Sequence, residues 1–164
     1  MTDRGELTTT RAALVAEYLD GLGVAYEIVE HEATVSALGE ARVAHLPPWQ
    51  VAKTVVLHDG DAYVIAVIPA SERLDLGKLR EVLSSSRQLR LASEDEIARE
   101  FPQLDVGAVP PFGPMAPTAE VIDRGLLEVE RVLCAAGDHR HSLLVDPREI
   151  VRITSARTAD ICED

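Results

Sequence analysis

Lys53 sits in the run VAKTVVL, residues 51–57, where strand alternation puts Val51, Lys53, Val55 and Leu57 on one face. Three of these four side chains belong in a core. The ammonium is therefore either an edge group reaching for water or a charge held at the wall of a pocket. Of the 16 basic residues only Lys53 and Lys78 are lysine. In a chain so partial to arginine, lysine at 53 points to a compact ammonium rather than a planar fork.

A second unusual stretch is DVGAVPPFGPM, residues 105–115. Proline has no N–H, so the donors near the first turn are the amides of Gly107, Ala108 and Val109, and Gly107 is free to adopt positive φ. Consecutive amides presented in this way form a nest for an anion or a developing oxyanion. The same composition also suits a proline-stiffened connection that binds nothing.

A third is GDHRHSLLVD, residues 137–146, in which His139 and His141 would share one face of a strand. A metal centre needs a third ligand, and His31, His45 and His58 are scattered without a ligand spacing, so no metal is expected. The residues Ser84, Ser85 and Ser86 close a helix, and no G-x-S-x-G elbow is present, so a serine nucleophile is not expected either.

The elements that must position these residues follow from periodicity. Thr10 caps a helix over 10–22 with Leu14, Tyr18, Leu19 and Leu22 on one face, and VAYEIVEH is a strand. A second helix runs through TVSALGEARVAHL until Pro47-Pro48 stop it. Val51 to Ile68 form a hairpin about Asp59-Gly60. LDLGKLREVLSS is a helix and QLRLA a strand, followed by a helix with a capping box at Ser93 and Glu96. Strands are expected near 118–123, 127–135 and at SLLVD, and Asp146-Pro147 opens a last helix. Strands and helices without strict alternation predict an α+β domain, and 164 residues is most simply one domain, 1–164.

The formal net charge of −12 argues against DNA and against non-specific nucleic-acid binding, although a local basic patch remains compatible with it. The sequence has no run of about 20 apolar residues for a membrane span and no signal-like start, which predicts a cytoplasmic protein. Cys134 lies in an apolar run and reads as core, while Cys162 in the C-terminal tail reads as incidental.

Taken together, VAKTVVLHDGDAYVIAVIPASERLDLGKLREVL, GAVPPFG and GDHRHSLLVDPREIVRIT closely resemble the YbaK/ProX family of aminoacyl-tRNA editing domains, over about Thr10 to Thr154. The resemblance implies a mixed, curved β-sheet surrounded by helices, and hydrolysis of the ester joining a wrong amino acid to the tRNA 3′ end. It implies functional roles for Lys53 and the adjacent Thr54, and for Gly107 and Pro111 as the fixed points of a G-x-x-x-P loop. His141 falls near a position that is histidine or small and polar in some members. The resemblance implies water as nucleophile, with no cofactor, no metal and no protein nucleophile. It makes the acceptor end of aminoacyl-tRNA the partner; with so acidic a chain, either contact is confined to that single-stranded end through Lys53 and a few arginines, or another protein such as a synthetase holds the tRNA.

On this reading Lys53 and the Gly107 turn face one hollow, with catalytic roles for Lys53 and Gly107. Substrate contacts come from Thr54, Ala108, Val109, Pro111, Phe112 and His141. Val35, Leu38, Ile68 and Phe112 are candidate walls of an amino-acid pocket, each equally a plain core residue. The alternatives are a non-catalytic binding module on the same fold and, less favoured, a metal hydrolase using His139 and His141.

Overall fold

The computed structural model describes residues 10–84, 88–116 and 118–164. Ser85, Ser86 and the first nine residues, on which parts of the helix and domain expectations fall, lie outside them. Among the described residues, five α-helices and eight strands form one mixed α+β domain. Helix α1 (Arg11–Gly21) starts where the Thr10 hydroxyl accepts from the Ala13 N–H, as the sequence predicts. Strand β1 (Tyr26–Glu30) follows, then a short α2 (Ala37–Val43) capped by Ser36. The hairpin is β2 (Ala52–Asp59) and β3 (Ala62–Pro69), with Asp59 opposite Ala62. Its turn is therefore Gly60-Asp61, one residue later than expected, with Gly60 at φ 66.

Helix α3 (Leu76–Leu83), strand β4 (Leu89–Leu91) and helix α4 (Glu94–Glu100) come next. The α4 capping box is present in both directions. After the 101–118 segment, β5 (Ala119–Asp123), β6 (Val132–Ala135), β7 (His141–Val145), α5 (Pro147–Thr154) and β8 (Arg157–Ala159) complete the chain. The strand expected over 127–135 is shorter, because Arg124–Glu128 coil into a 3-10 turn capped by Asp123. Strand β8 was not foreseen; it is a three-residue edge strand with no periodicity of its own.

The strands hydrogen-bond as two ladders, β1-β7-β6 and β4-β2-β3-β5-β8, joined by a bridge between Val51 and Leu133. Strand β3 is central and buried on both faces. Ile65 and Val67 point into the main core with Val56, Val109, Phe112, Ile122 and Leu143. Val64, Ala66 and Ile68 point the other way, into a second cluster under Leu79 of α3 and the tail residues Ile161 and Cys162. Cys162 is thus packed in, at 7% exposed, not incidental. Lys78 fastens that tail, its Nζ donating to the Cys162 carbonyl and to the carboxylates of Asp160 and Asp164. Cys134 is fully buried, as predicted.

Candidate active site

Strand β2 carries Lys53 at a place where the sheet is incomplete. Its neighbour β4 reaches only Leu57–Asp59, so among the described residues the outer edge of β2 has no partner strand beside Lys53 and Thr54. A cavity of about 500 Å³ opens along this edge, lined by Lys53, Thr54, Val56, Arg73, Leu91 and Glu163 among others. Lys53 is exposed, and its ammonium has no ion-pair or hydrogen-bond partner among the described residues. The Thr54 hydroxyl oxygen is buried and likewise without a partner.

The second element is the turn at 105–109. The Ala108 N–H closes it onto the Asp105 carbonyl at 3.0 Å, and Gly137 zips it to the β6–β7 connection through Asp105 N to Gly137 O at 2.8 Å and Gly137 N to Ala108 O at 3.0 Å. Gly107 has φ +86, and a Cβ there would sit 2.8 Å from the Val35 carbonyl oxygen, so only glycine fits. The nest is therefore smaller than expected. The Ala108 amide is spent inside the turn, while the N–H groups of Gly107 and Val109 have no partner among the described residues. Gly107 is exposed, whereas Ala108, Val109, Pro111 and Phe112 are buried.

The residues around the turn come from two further segments. His139 Nε2 lies 2.8 Å from the Val106 carbonyl and must donate to it, since a carbonyl only accepts. His141 Nδ1 lies 2.9 Å from both carboxylate oxygens of Asp138. The two rings therefore engage separate partners, His139 in the turn and His141 at the start of β7, and do not converge as an H-x-H ligand pair. No group of three or more candidate metal ligands occurs among the described residues. Val35, 71% exposed, stands beside the turn on the segment entering α2, and Leu38, 58% exposed, lies in the first turn of that helix.

Sequence reasoning put Lys53 and the Gly107 turn on one hollow, and the cavity that Lys53 lines has no wall from residues 107–112. The reason is the alternation of β2. Lys53 shares its face with Val55 and Leu57, which pack toward α3, whereas Ala52 and Val56 pack on the opposite face with Val109 and Phe112. The four wall candidates divide accordingly. The Val35 backbone meets the turn, Leu38 is exposed on α2, Ile68 lies in the Lys53 cavity, and Phe112, 2% exposed, lines another cavity of about 370 Å³ with Tyr18 and Glu120.

One buried group was missed. Glu40 of α2, 6% exposed, has Oε2 2.6 Å from the Ser142 hydroxyl, and Ser142 lies 2.7 Å from His31 Nε2. Burial pushes the Glu40 carboxyl up to about 7, the Ser142 hydrogen bond opposing. Glutamate on the inner face of a short helix was the available signal.

The sequence profile described as the aminoacyl-tRNA editing domain matches residues 30–153. The fold is similar to a solved structure described as "a putative trans-editing enzyme for prolyl tRNA synthetase", with TM-score 0.83, 29% identity and coverage of 94% of this chain and 98% of that one. It is similar also to hypothetical protein APE2540, with TM-score 0.82, 27% identity and coverage of 91% and 99%. A scaffold protein for epitope backbone grafting aligns with TM-score 0.84, 27% identity and coverage of 95% and 99%. A comparison with curated proteins returned no match. With the match spanning most of its length and the whole fold superposing, the chain belongs to the aminoacyl-tRNA editing domain family.

Proposed function

We propose that this protein is a free-standing deacylase that removes a wrong amino acid from the 3′ end of tRNA. The observation that carries the reading, beyond family membership, is the unpaired Lys53 ammonium on the wall of a cavity along an open strand edge. An exposed cation with no internal partner and an orphaned hydroxyl beside it, on Thr54, suit an anionic, hydroxyl-rich ligand such as the terminal phosphate and ribose.

Lys53 and Gly107 then take different parts of one substrate. Residues 53–56 all line the cavity, so it runs round the strand edge and reaches both faces of β2. A single-stranded acceptor end held by Lys53 on one side can present its ester to the Gly107 turn on the other. Water attacks the ester carbonyl, the tetrahedral oxyanion accepts from the free N–H of Gly107, and the carbon–oxygen bond to the ribose breaks as the proton given up by the water passes to the departing ribose oxygen, releasing amino acid and tRNA. One such donor is typically worth about 3 to 4 kcal/mol of transition-state stabilisation. Val35 and Leu38 meet the amino-acid side chain. A second sieve of this kind is useful because a synthetic site gains only about 1 to 3 kcal/mol from a missing methylene.

The net charge of −12 limits contact with tRNA to this end, and a synthetase holding the rest of the tRNA resolves the repulsion. The cytoplasm is where such substrates occur. The separation of the Lys53 cavity from the 107–112 turn favours one competing reading, a non-catalytic module that binds the acceptor end alone. Incubating a panel of mischarged tRNAs with wild type, Lys53→Ala and Gly107→Ala decides between them. Hydrolysis reduced in both variants supports the deacylase; acceptor-end binding without turnover on any substrate supports the module.

A further inference from the structure

Glu40, Ser142 and His31 form a buried chain with a countable number of protons. His31 Nδ1 lies 2.7 Å from the Glu32 carbonyl, which only accepts, so Nδ1 carries a hydrogen. The Ser142 hydroxyl, with one proton, lies 2.6 Å from Glu40 Oε2 and 2.7 Å from His31 Nε2. Both contacts are hydrogen bonds only if one further proton is present. Either Glu40 is protonated and donates to Ser142, which donates to Nε2, or Nε2 is protonated and donates to Ser142, which donates to Glu40. Without that proton two acceptors compete for one hydroxyl, inside a site where an unmade hydrogen bond is costly.

Ser142 is 0% exposed, in the central strand of its ladder, opposite Val29 and Ala135, so it is out of reach as a nucleophile. The chain instead spans the segment 31–40. Between its two attachments, the Thr34 N–H bonds the His139 carbonyl at 2.9 Å and the Val35 carbonyl meets Gly107. Val35 and Leu38, both exposed, have no apolar cover that would fix them. The same β6–β7 connection holds the other rim, through His139 Nε2 and the Val106 carbonyl at 2.8 Å.

We propose that the Glu40–Ser142–His31 chain, by sharing one proton, positions the Val35–Leu38 lip against the Gly107 turn and thereby sets discrimination among amino-acid side chains. The role in discrimination rests on the deacylase reading; the clamp on residues 31–40 does not. The raised Glu40 carboxyl, at about 7, puts loss of the proton within reach of mild alkali. Other ionisable or charged groups on the elements packed around the chain are Tyr26, Glu27 and Glu30 of β1, Glu32, Arg42 and His45 about α2, Asp138, His139 and Arg140 of the turn into β7, His141 at the start of β7, and Cys134 of β6. Cys134 feels the Glu40 charge directly, and its thiol is held far up by burial.

Glu40→Gln supplies the missing donor permanently, since its amide donates to Ser142 and the hydroxyl to Nε2; Glu40→Ala removes the chain. Two measurements across pH 6 to 9 test this. Hydrogen-exchange protection of the Thr34 amide should fall at least tenfold with rising pH in wild type, stay flat in Glu40→Gln, and be low throughout in Glu40→Ala. The ratio of deacylation rates for alanyl- and leucyl-tRNA, in which the lability of the ester itself cancels, should follow the same three patterns. A Thr34 protection that is independent of pH in wild type, or that falls equally in Glu40→Gln, overturns the clamp. A clamp that behaves as stated while the rate ratio stays constant overturns the role in discrimination. No turnover on any tRNA refutes the deacylase reading instead.

Discussion

The α-carbon of Gly107 faces the Val35 carbonyl so closely that a Cβ would stand 2.8 Å from its oxygen, and 3.9 Å from His139 Nε2. Neither neighbour has slack, because Val35 lies one residue past the Thr34–His139 hydrogen bond and the His139 ring is held by Val106. Gly107→Ala combines this clash with φ +86 and should cost about 1 to 3 kcal/mol of stability. Thermal unfolding measures that cost. Deacylation should fall at least tenfold at temperatures where the variant is fully folded; a variant as active and as stable as wild type would remove the turn from the mechanism.

Lys53→Ala should behave in the opposite way. Lys53 is exposed and supports no internal ion pair among the described residues, so its loss should leave the unfolding midpoint within about 1 °C. Deacylation should drop tenfold or more, equivalent to about 1.4 kcal/mol of lost transition-state binding. Lys53→Arg should recover part of the affinity for the acceptor end, since it keeps the charge but changes its shape. Comparing KM with kcat in the two variants separates binding from chemistry.

Much of this was legible in the sequence because it is local. The hairpin, the Ser93 capping box, the Asp146-Pro147 helix start and the Thr10 cap each depend on residues a few positions apart, and each forms. Lys53 was conspicuous as the wrong residue type for its face. What the sequence did not carry was anything set by chain crossing. Glu40 and Ser142 are 102 residues apart, and the turn that takes up the Ala108 amide is held in place by Gly137, far from it in the sequence. The shared hollow failed for a subtler reason. Alternation along β2 is visible in the sequence, but which face the 107–112 turn covers is a property of sheet packing, not of either segment.

Lys78, the other lysine, gives a prediction about the tail. Its ammonium is held well above the usual lysine range, chiefly by Asp164 and also by Asp160, and it closes the tail over Cys162. Burial pushes the Cys162 thiol up to about 12, with Asp123 adding to it, so the thiol is inert as well as covered. Lys78→Met should release residues 160–164 and raise the rate of labelling of Cys162 by an alkylating reagent at least tenfold. Cys134, fully buried in the main core, is the internal control and should stay unlabelled. Equal labelling of both thiols would mean general unfolding, and no change would mean that Lys78 does not hold the tail.

Glu120 should make the protein less stable in alkali. It is 6% exposed on β5, its Oε2 has no partner among the described residues, and burial pushes the carboxyl up to about 9, with the Thr154 hydroxyl only partly opposing. A carboxyl with a folded-state pKa above its unfolded value of 4.5 binds its proton more tightly in the native protein. Its stabilising contribution is therefore complete below about pH 4.5 and is lost as pH rises toward 9. At pH 7.5 the cost reaches up to about 4 kcal/mol, three pH units at 1.36 kcal/mol each. Glu120→Gln cannot ionise and escapes it. The two proteins should unfold at similar temperatures near pH 4.5, and the variant should gain up to roughly 8 to 16 °C by pH 7.5. Glu40, raised in the same direction, is present in both and cancels in the comparison. Midpoint curves that run parallel from pH 4.5 to 8.5 would show that Glu120 ionises without penalty, through water or a ligand reaching its free oxygen.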